Sequence, residues 1–308
     1  MDHSEVQMEH KESQVSVIVP AYRSDAVLER AVQSVLKQDY PNLQLIVCDD
    51  GTEAFDKDGL DAFIRREGVG IAYHIIHQQE NVGTVRNLNA GLEYAQGEWI
   101  FPLAADDLLV DSTVISKLVH QAAKSGLDWI IPRTELCDEG MNRSGEIIPS
   151  ESVQTDVAAG NMQGLYRKLC FECCLPSSGS LFRRQLLLDM GGFNSKFRLV
   201  EDWPLFLSLI RRGVCPQISN EVAVLHRDGG VSGRRAARNR MYQQDLILVM
   251  QMEIKPFLQD LNEEDRQKVC RQISDKEVVF QWRFSCTTWK DRLIWVAMHA
   301  DTILRKLF

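Results

Sequence analysis

Short apolar runs alternate with amphipathic segments along much of the chain, and this alternation predicts the fold class. The runs VSVIVP, LQLIVC and IAYHII have the length and composition of buried strands. Between the first two runs, residues 24–38 place apolar side chains at helical spacing, with Ser24 as a suitable N-cap. Alternating strands and helices are typical of βαβ units. The sequence therefore predicts an α/β protein with a parallel sheet.

The same alternation continues, with one interruption. We predict a helix over 84–95, a strand over 99–103, a helix ending near Lys124 and a strand over 127–132. Between Thr134 and Gly160 the periodicity disappears, which predicts a long loop or lid that carries substrate contacts. The later pattern predicts a strand and short helix up to Met190, a helix beginning near Asp202 and a last strand ending at His226.

The two ends of the chain differ from this central pattern. Residues 1–14 are polar and aperiodic, so we predict a disordered leader followed by one domain over 15–235. Residues 236–308 read as a helical extension, whose last segment carries a seam of apolar residues. The seam comprises Trp289, Leu293, Val296, Ala300, Ile303 and Leu307. Such a seam favours packing against the body or a second subunit in a homodimer, and peripheral contact with a membrane surface is the alternative.

Composition excludes several classes of protein. The 308 residues are 44% hydrophobic and carry a formal charge of -8, which argues against nucleic acid as a partner. No secretory signal pattern opens the chain and no apolar run is long enough to span a bilayer, so the expected location is the cytoplasm. In that compartment cysteines stay reduced. Even the cluster of Cys170, Cys173 and Cys174 is therefore interpreted as packing residues.

Acidic side chains follow two of the predicted strands. Asp49 and Asp50 follow LQLIVC, and Asp106 and Asp107 follow the strand over 99–103. Parallel α/β sheets bind ligands at the carboxyl ends of their strands, which predicts a metal-and-phosphate site here. Taken alone, Asp49 and Asp50 are also compatible with an ordinary turn, and Asp106 and Asp107 with a helix cap.

Two further segments carry candidate chemistry. The run NVGTVRN, residues 81–87, places a glycine turn before a helix with Arg86, whose guanidinium could hold a diphosphate or remain solvated. Glu201 and Asp202 begin a predicted helix, where capping and general-base catalysis are both open. The combination of these segments with the acid pairs favours a catalytic interpretation.

In this order and spacing, the chain resembles the family 2 glycosyltransferases over roughly residues 15–232. The matching segments are VSVIVPAY, IVCDDGT, NVGTVRNLNAGLEYAQGEWI and MGGF followed by VEDWPLFLSLIRRG. The resemblance implies a GT-A fold, a Rossmann-like and mostly parallel sheet flanked by helices. It also implies an enzyme that moves a hexose or related sugar, with inversion, from a nucleotide-sugar donor to an acceptor hydroxyl.

The resemblance implies roles for individual residues. Asp202 corresponds to the catalytic base that deprotonates the acceptor, with Glu201 and Trp203 on the acceptor side. The residues that correspond to the donor site are Ala21, Tyr22, Asp49, Asp50, Asn81, Gly83, Arg86 and Asp106. The implied acceptor is a saccharide or a lipid-linked molecule, which by analogy places the enzyme in surface polysaccharide or glycolipid synthesis at the inner membrane surface.

The implied cofactor is Mg²⁺ or Mn²⁺, which suits acidic oxygen ligands. The candidate ligands are Asp106, Asp107 and, at the end of the last strand, His226. The family's metal motif usually begins with an aspartate two residues before the second acid, whereas this chain has Ala104 there. The missing acid leaves a second interpretation open, a catalytically silent relative that binds nucleotide sugars or partners. A dinucleotide-binding oxidoreductase is disfavoured because no G-x-G-x-x-G follows the first strand.

Overall fold

The computed structural model describes residues 13–230, 233, 236–286 and 288–299. One mixed, mostly parallel sheet organises this part of the chain. Its strands are Val15–Ala21 (β1), Leu43–Asp49 (β2), Ala72–His77 (β3), Trp99–Pro102 (β4), Leu108–Leu109 (β5), Trp129–Cys137 (β6), Arg143–Ile148 (β7), Leu181–Arg183 (β8) and Gln217–Arg227 (β9). The order is β3-β2-β1-β4-β8-β6-β9-β5, and β7 pairs with β6 outside this path. The predicted α/β class is confirmed.

Helices cover both faces of the sheet. The first eight are Asp25–Leu36 (α1), Lys57–Glu67 (α2), Thr84–Tyr94 (α3), Val114–Ser125 (α4), Glu151–Ala158 (α5), Met162–Phe171 (α6), Arg184–Asp189 (α7) and Asp202–Arg211 (α8). The last three are Arg240–Val249 (α9), Glu263–Phe284 (α10) and Trp289–Met298 (α11). A π-helical turn, Met250–Ile254, and a 3₁₀ segment, Lys255–Asp260, connect α9 to α10. A helical C-terminal region is therefore present as predicted.

Strand β1 shows how the apolar pattern produces two cores. Successive strand residues point to opposite faces, and Val17 packs into the core under α1 and α4 while Ile18 packs into the core under α3, α6 and α8. Both residues are fully buried, because β1 lies between β2 and β4 inside the sheet and helices cover both of its faces. The continuous apolar run is thus explained by burial on both faces.

The carboxyl ends of β1, β2 and β4 meet at one edge of the sheet. Ala21 pairs with Asp49 at the end of the β1–β2 ladder, and Ile18 pairs with Pro102 at the end of β4. The chain segments that leave these three strands therefore run side by side. The acid pairs after β2 and β4 lie in these segments, as the sequence predicted.

The prediction of a long loop over 134–160 is wrong. Strand β6 continues to Cys137, β7 turns back beside it, and α5 buries Val153 and Val157 against the core. Strand β7 reads RSGEII, four of whose residues are exposed, so it lacks the alternation that identifies a half-buried strand. Helix α5 has only eight residues, which is too short to show a clear period.

The ends of the chain refine three predictions. Residues 1–12 of the predicted leader lie outside the described residues, but Gln14 accepts a hydrogen bond from Trp99 N, so order begins before Val15. In α11 the described seam residues Trp289, Leu293 and Val296 are exposed rather than packed on the body, and Trp295 packs against Trp282 instead. The rest of the seam, residues 300–308, lies outside the described residues. Within the described part, no helix has the length and hydropathy needed to cross a membrane.

Candidate active site

A cavity of about 390 Å³ opens at the carboxyl ends of the central strands. Its four acidic residues come from three places in the chain: Asp50 after β2, Asp106 after β4, and Glu201 with Asp202 at the start of α8. Most of the other residues in its wall are Pro20, Ala21, Tyr22, Arg23, Asn81, Thr84, Asn87, Ala104, His226, Arg227, Gly229, Gly230 and Tyr242. Sequence motifs that are far apart in the chain therefore converge on one site.

The two acids after β2 have different tasks. Asp50 lines the cavity, and its carboxyl oxygens accept hydrogen bonds from Val82 N at 2.7 Å and Gly83 N at 2.9 Å. Burial raises the pKa of Asp50 and these two N–H groups oppose the rise. Asp49 is buried outside the cavity wall, where it accepts from Thr52 N and lies 2.8 Å from His77 Nδ1. Asp49 thus shapes the turn that presents Asp50.

The turn at Gly83 is held by an arginine that the sequence interpretation did not select. Arg198 donates from Nη2 to both the backbone oxygen and Oδ1 of Asn81, at 2.7 and 2.8 Å. Gly83 has φ +92°, and a Cβ there would lie 2.4 Å from Arg198 Cγ, so only glycine fits. Arg86, the predicted guanidinium of the donor site, is exposed and does not line the cavity.

The wall between β1 and α3 contains further polar groups. Tyr22 is exposed for 42% of its surface, and the Arg23 guanidinium lies 5.1 Å from its ring centre. Asn87, missed in the sequence, lines the cavity while its Nδ2 donates to Cys48 O at 2.6 Å. Its buried Oδ1 has no hydrogen-bond partner among the described residues. Asn87 Oδ1 is therefore available as an acceptor at this wall.

The acids after β4 also divide their tasks. Asp106 lines the cavity, and burial followed by the charge of Asp107 raises its pKa. Asp107 is fully buried behind the wall, with Oδ1 2.9 Å from His226 Nδ1 and accepting from Arg227 N at 3.2 Å. Hydrogen bonding and the charges of Asp107 and Asp106 overcome burial and raise the pKa of His226 to about 9.

The contact between Asp107 and His226 suits His226 as a metal ligand, with Asp107 as the group that orients its ring. A histidine that binds a metal through one ring nitrogen usually hydrogen-bonds a carboxylate through the other. Asp107 occupies Nδ1, which leaves Nε2 of His226 as the nitrogen that could bind an ion alongside Asp106. In the described residues, no group of three or more His, Cys, Asp or Glu side chains could hold a metal alone. Mg²⁺ is commonly held by one or two carboxylates together with substrate phosphates, so fewer than three such protein groups are compatible with a metal site.

Glu201 and Asp202 face the cavity from the start of α8. Asp202 Oδ1 accepts from Trp203 N at 2.7 Å, and Oδ2 lies 3.4 Å from the thiol sulfur of Cys173. Burial raises the pKa of Asp202, and burial with the charge of Asp202 raises that of Glu201 to about 8. Two adjacent buried carboxyls resist double ionisation. A carboxyl whose pKa lies nearer neutrality is suited to accept a proton from a hydroxyl.

Trp203 has a structural position instead of the predicted place on the acceptor side. Its side chain is 2% exposed, and its indole N–H donates to Leu169 O at 2.7 Å. The contact ties the first turn of α8 to α6, so Trp203 holds the acidic pair from behind and does not line the cavity.

The C-terminal region contributes directly to the site, which the sequence did not indicate. Tyr242 in the first turn of α9 lines the cavity. Three residues further along, buried Asp245 accepts hydrogen bonds at Oδ2 from the backbone N–H groups of Arg198, Leu199 and Val200. Helix α9 thereby fixes the segment that leads into Glu201.

The sequence agrees with what the geometry of the cavity suggests. The family model described as glycosyl transferase family 2 matches residues 16–189, more than half of the chain. The chain therefore belongs to glycosyl transferase family 2. The matched residues include those that line the cavity after β1, β2 and β4. Helix α8 and the C-terminal helices lie beyond the matched residues.

Individual relatives match parts of the chain. Glycosyltransferase GlyG of Streptococcus pneumoniae is 31% identical over 117 residues, which is 38% of each chain. The putative teichuronic acid biosynthesis glycosyltransferase TuaG of Bacillus subtilis is 34% identical over 93 residues, 30% of this chain and 36% of that one. The match to these relatives thus spans little more than a third of their length.

Two solved structures show the same fold at low identity. S. aureus TarS 1-349 in complex with UDP-GlcNAc aligns with a TM-score of 0.61 at 14% identity, covering 94% of this chain and 80% of that chain. The mannosyltransferase PcManGT of Pyrobaculum calidifontis, in complex with GDP-Man and Mn²⁺, aligns with a TM-score of 0.56 at 18% identity, covering 94% and 75%. These similarities confirm the predicted GT-A architecture.

Proposed function

We propose that this protein is an inverting glycosyltransferase that moves a hexose or related sugar from a nucleoside diphosphate to an acceptor hydroxyl. One observation carries the proposal: the partly buried acids Glu201 and Asp202 face the same cavity as Asp50, Asp106 and His226. The groups suited to bind a nucleotide diphosphate and the group suited to deprotonate an acceptor are therefore within one site.

The donor is proposed to lie across the ends of β1, β2 and β4. The nucleoside borders Ala21, Tyr22 and Asp50, and the turn at Asn81 and Gly83 forms the adjoining wall. Asp49 and the Arg198 guanidinium act from behind, because they hold the turns on which these groups stand. The structures of TarS and PcManGT are complexes with UDP-GlcNAc and GDP-Man, which supports a nucleotide sugar as the donor class.

Asp202 is the proposed base. Its carboxylate takes the proton of the acceptor hydroxyl, whose oxygen attacks the anomeric carbon as the bond to the diphosphate breaks. The base and the leaving group lie on opposite sides of the sugar, so configuration at the anomeric carbon inverts. Glu201, whose pKa burial and Asp202 raise to about 8, keeps a proton near neutral pH and leaves the negative charge of the pair to Asp202.

A divalent cation, Mg²⁺ or Mn²⁺, is the proposed cofactor. Asp106 and Nε2 of His226 would hold it, with Asp107 orienting the imidazole. When bound, it supplies positive charge that stabilises the leaving diphosphate. Support comes from the carboxylate–histidine arrangement in this chain and from the Mn²⁺ in the PcManGT complex.

The acceptor is proposed to be a saccharide or a lipid-linked molecule in surface polysaccharide synthesis, because the relative TuaG is a putative glycosyltransferase of teichuronic acid biosynthesis. The division at residue 235 into a transferase domain and a helical extension is part of the proposal, although α9 supplies Tyr242 to the cavity. The exposed apolar residues Trp289 and Leu293 are compatible with a homodimer or with peripheral contact at the inner membrane surface in the cytoplasm.

Asp202→Asn tests the function against the silent relative. The variant keeps the shape and the Trp203 contact but lacks a base, so it should bind nucleotide like wild type and lose about a hundredfold or more of transfer. Transfer is measured as nucleoside diphosphate release, and nucleotide affinity by calorimetry. Asp189→Asn, an exposed change on α7, is the matched control. Transfer retained by Asp202→Asn contradicts the assignment, and absence of transfer in wild type favours the silent relative.

A further inference from the structure

The loop that follows α6 reaches both acidic parts of the cavity. Cys173 Sγ lies 3.4 Å from Asp202 Oδ2, and the side chain of Ser177 is close enough to Glu201 to lower its pKa. At the far end of the same loop, Ser178 Oγ accepts from Ala104 N at 3.1 Å. One short segment therefore contacts the proposed base, its acidic neighbour and the strand end that carries Asp106.

We propose that Cys173 is a positioning residue for the base, because its thiol donates a hydrogen bond to Asp202 Oδ2 and holds the carboxylate toward the acceptor. The inference rests on the proposed function, since it presupposes Asp202 as the base. Asp202 Oδ1 is already taken by Trp203 N at 2.7 Å, so the thiol completes a two-point hold on the carboxyl group. The packing role expected for this cysteine is thus not its whole role.

The state of the thiol supports its role as a donor. Burial, and then the charge of Asp202, raises the pKa of Cys173 well above its ordinary value, so the sulfur keeps its proton across the working pH range. Leu175 O, at 3.7 Å, is the other acceptor near this sulfur, and it is farther away than Oδ2. A protonated thiol beside a carboxylate can act only as the donor of that hydrogen bond.

The thiol should also affect the titration of the base. Among the described residues, the titratable groups around Asp202 are Glu201 beside it, Cys173 on the loop and Tyr242 on α9. Burial raises the pKa of Asp202, whereas the bonds from Trp203 N and Cys173 lower it. Removing the thiol donor therefore raises the pKa of Asp202, and the ionised base persists only at higher pH.

The test is the pH profile of kcat/KM for nucleoside diphosphate release by the full chain. Cys173→Ala and the similarly sized Cys173→Val remove the donor, whereas Cys173→Ser restores one. We expect the acid limb to move to higher pH in the first two variants, with kcat/KM on that limb falling about fivefold, the loss of one ordinary hydrogen bond. Cys173→Ser should keep the limb near its wild-type position. Nucleotide affinity measured by calorimetry should stay unchanged in all three.

Cys174→Ala is the matched control, because the neighbouring thiol packs against the core and should leave the profile in place. An acid limb that stays unmoved in both Cys173→Ala and Cys173→Val overturns the inference. A uniform loss at every pH, not restored by Cys173→Ser, also overturns it, because that is the result of a merely structural role. Asp202→Asn separates the two claims: if that variant keeps transfer, the proposed base fails, whereas an inactive Asp202→Asn with an unmoved Cys173→Ala profile rejects only the role of Cys173.

Discussion

Asp245 on α9 should contribute more to the stability of the fold and to nucleotide affinity than an exposed acid does. Its Oδ2 accepts from Arg198 N at 2.8 Å, Leu199 N at 2.6 Å and Val200 N at 3.2 Å, and the residue is 5% exposed. These three donors belong to the segment that holds Asn81 on one side and leads into Glu201 on the other. Asp245 therefore couples the C-terminal helix to both the donor wall and the acidic pair.

The expected cost of Asp245→Ala follows from these contacts. Each buried N–H group left without an acceptor costs about 1–3 kcal/mol. Since the three donors share one oxygen and the segment can relax, we expect a total loss of about 3 kcal/mol in the free energy of unfolding. Asp245→Asn, which keeps one carbonyl oxygen, should lose less. Nucleotide affinity should fall as well, because the Arg198 contact with Asn81 depends on the same segment.

Urea unfolding followed by tryptophan fluorescence measures the loss, and calorimetry measures nucleotide affinity. Glu93→Ala, an exposed acid on α3, is the matched control and should remain within about 0.5 kcal/mol of wild type. If Asp245→Ala is as stable as Glu93→Ala, the anchoring role of α9 is refuted. If it is destabilised but binds nucleotide with unchanged affinity, the coupling to the donor wall is refuted.

Two further predictions concern the metal side of the cavity. Because Asp107 holds the folded-state pKa of His226 near 9, above its ordinary 6.5, the stabilisation by His226 is full below about pH 6.5 and disappears as pH rises through 9. Urea unfolding in chelator should therefore show a gap between wild type and His226→Gln at pH 6 that closes by pH 9.5, and a gap independent of pH contradicts it. Nucleotide affinity is measured by calorimetry with Mn²⁺ present. Adding a chelator and the substitution Asp106→Ala should each weaken nucleotide binding about tenfold or more. Unchanged affinity in both experiments would reject Asp106 as a ligand.

The sequence predicted the sheet and the cavity edge because both depend on local signals. Buried strands such as β1 and β2 are continuous apolar runs, and the acids that follow them end up at one sheet edge whatever the details of packing. The strand β7 and helix α5 were missed for the opposite reason. Most of β7 is exposed and α5 is short, so the positions of both are determined by pairing with β6 and packing on the core.

Contacts between distant segments limited the prediction of the site. The sequence placed a guanidinium in the donor site at Arg86, but the arginine that binds Asn81 is Arg198, 117 positions away. The supporting roles of Asp49 and Asp107 could not be predicted either. Two adjacent acids near a strand end are equivalent in the sequence, and only the fold determines which one lines the cavity and which one is buried behind it. Cys173 gave no signal in the sequence apart from belonging to a cysteine cluster, since its contact with Asp202 depends on how the loop after α6 folds back.

The anomeric configuration of the product tests directly whether this protein transfers a sugar with inversion. The wild-type protein is incubated with α-linked UDP, GDP, dTDP and CDP sugars, Mn²⁺ and saccharide acceptors, and products are examined by proton NMR. We expect release of one nucleoside diphosphate together with a β-linked product. An α-linked product would contradict the assignment of Asp202 as the base of a single displacement.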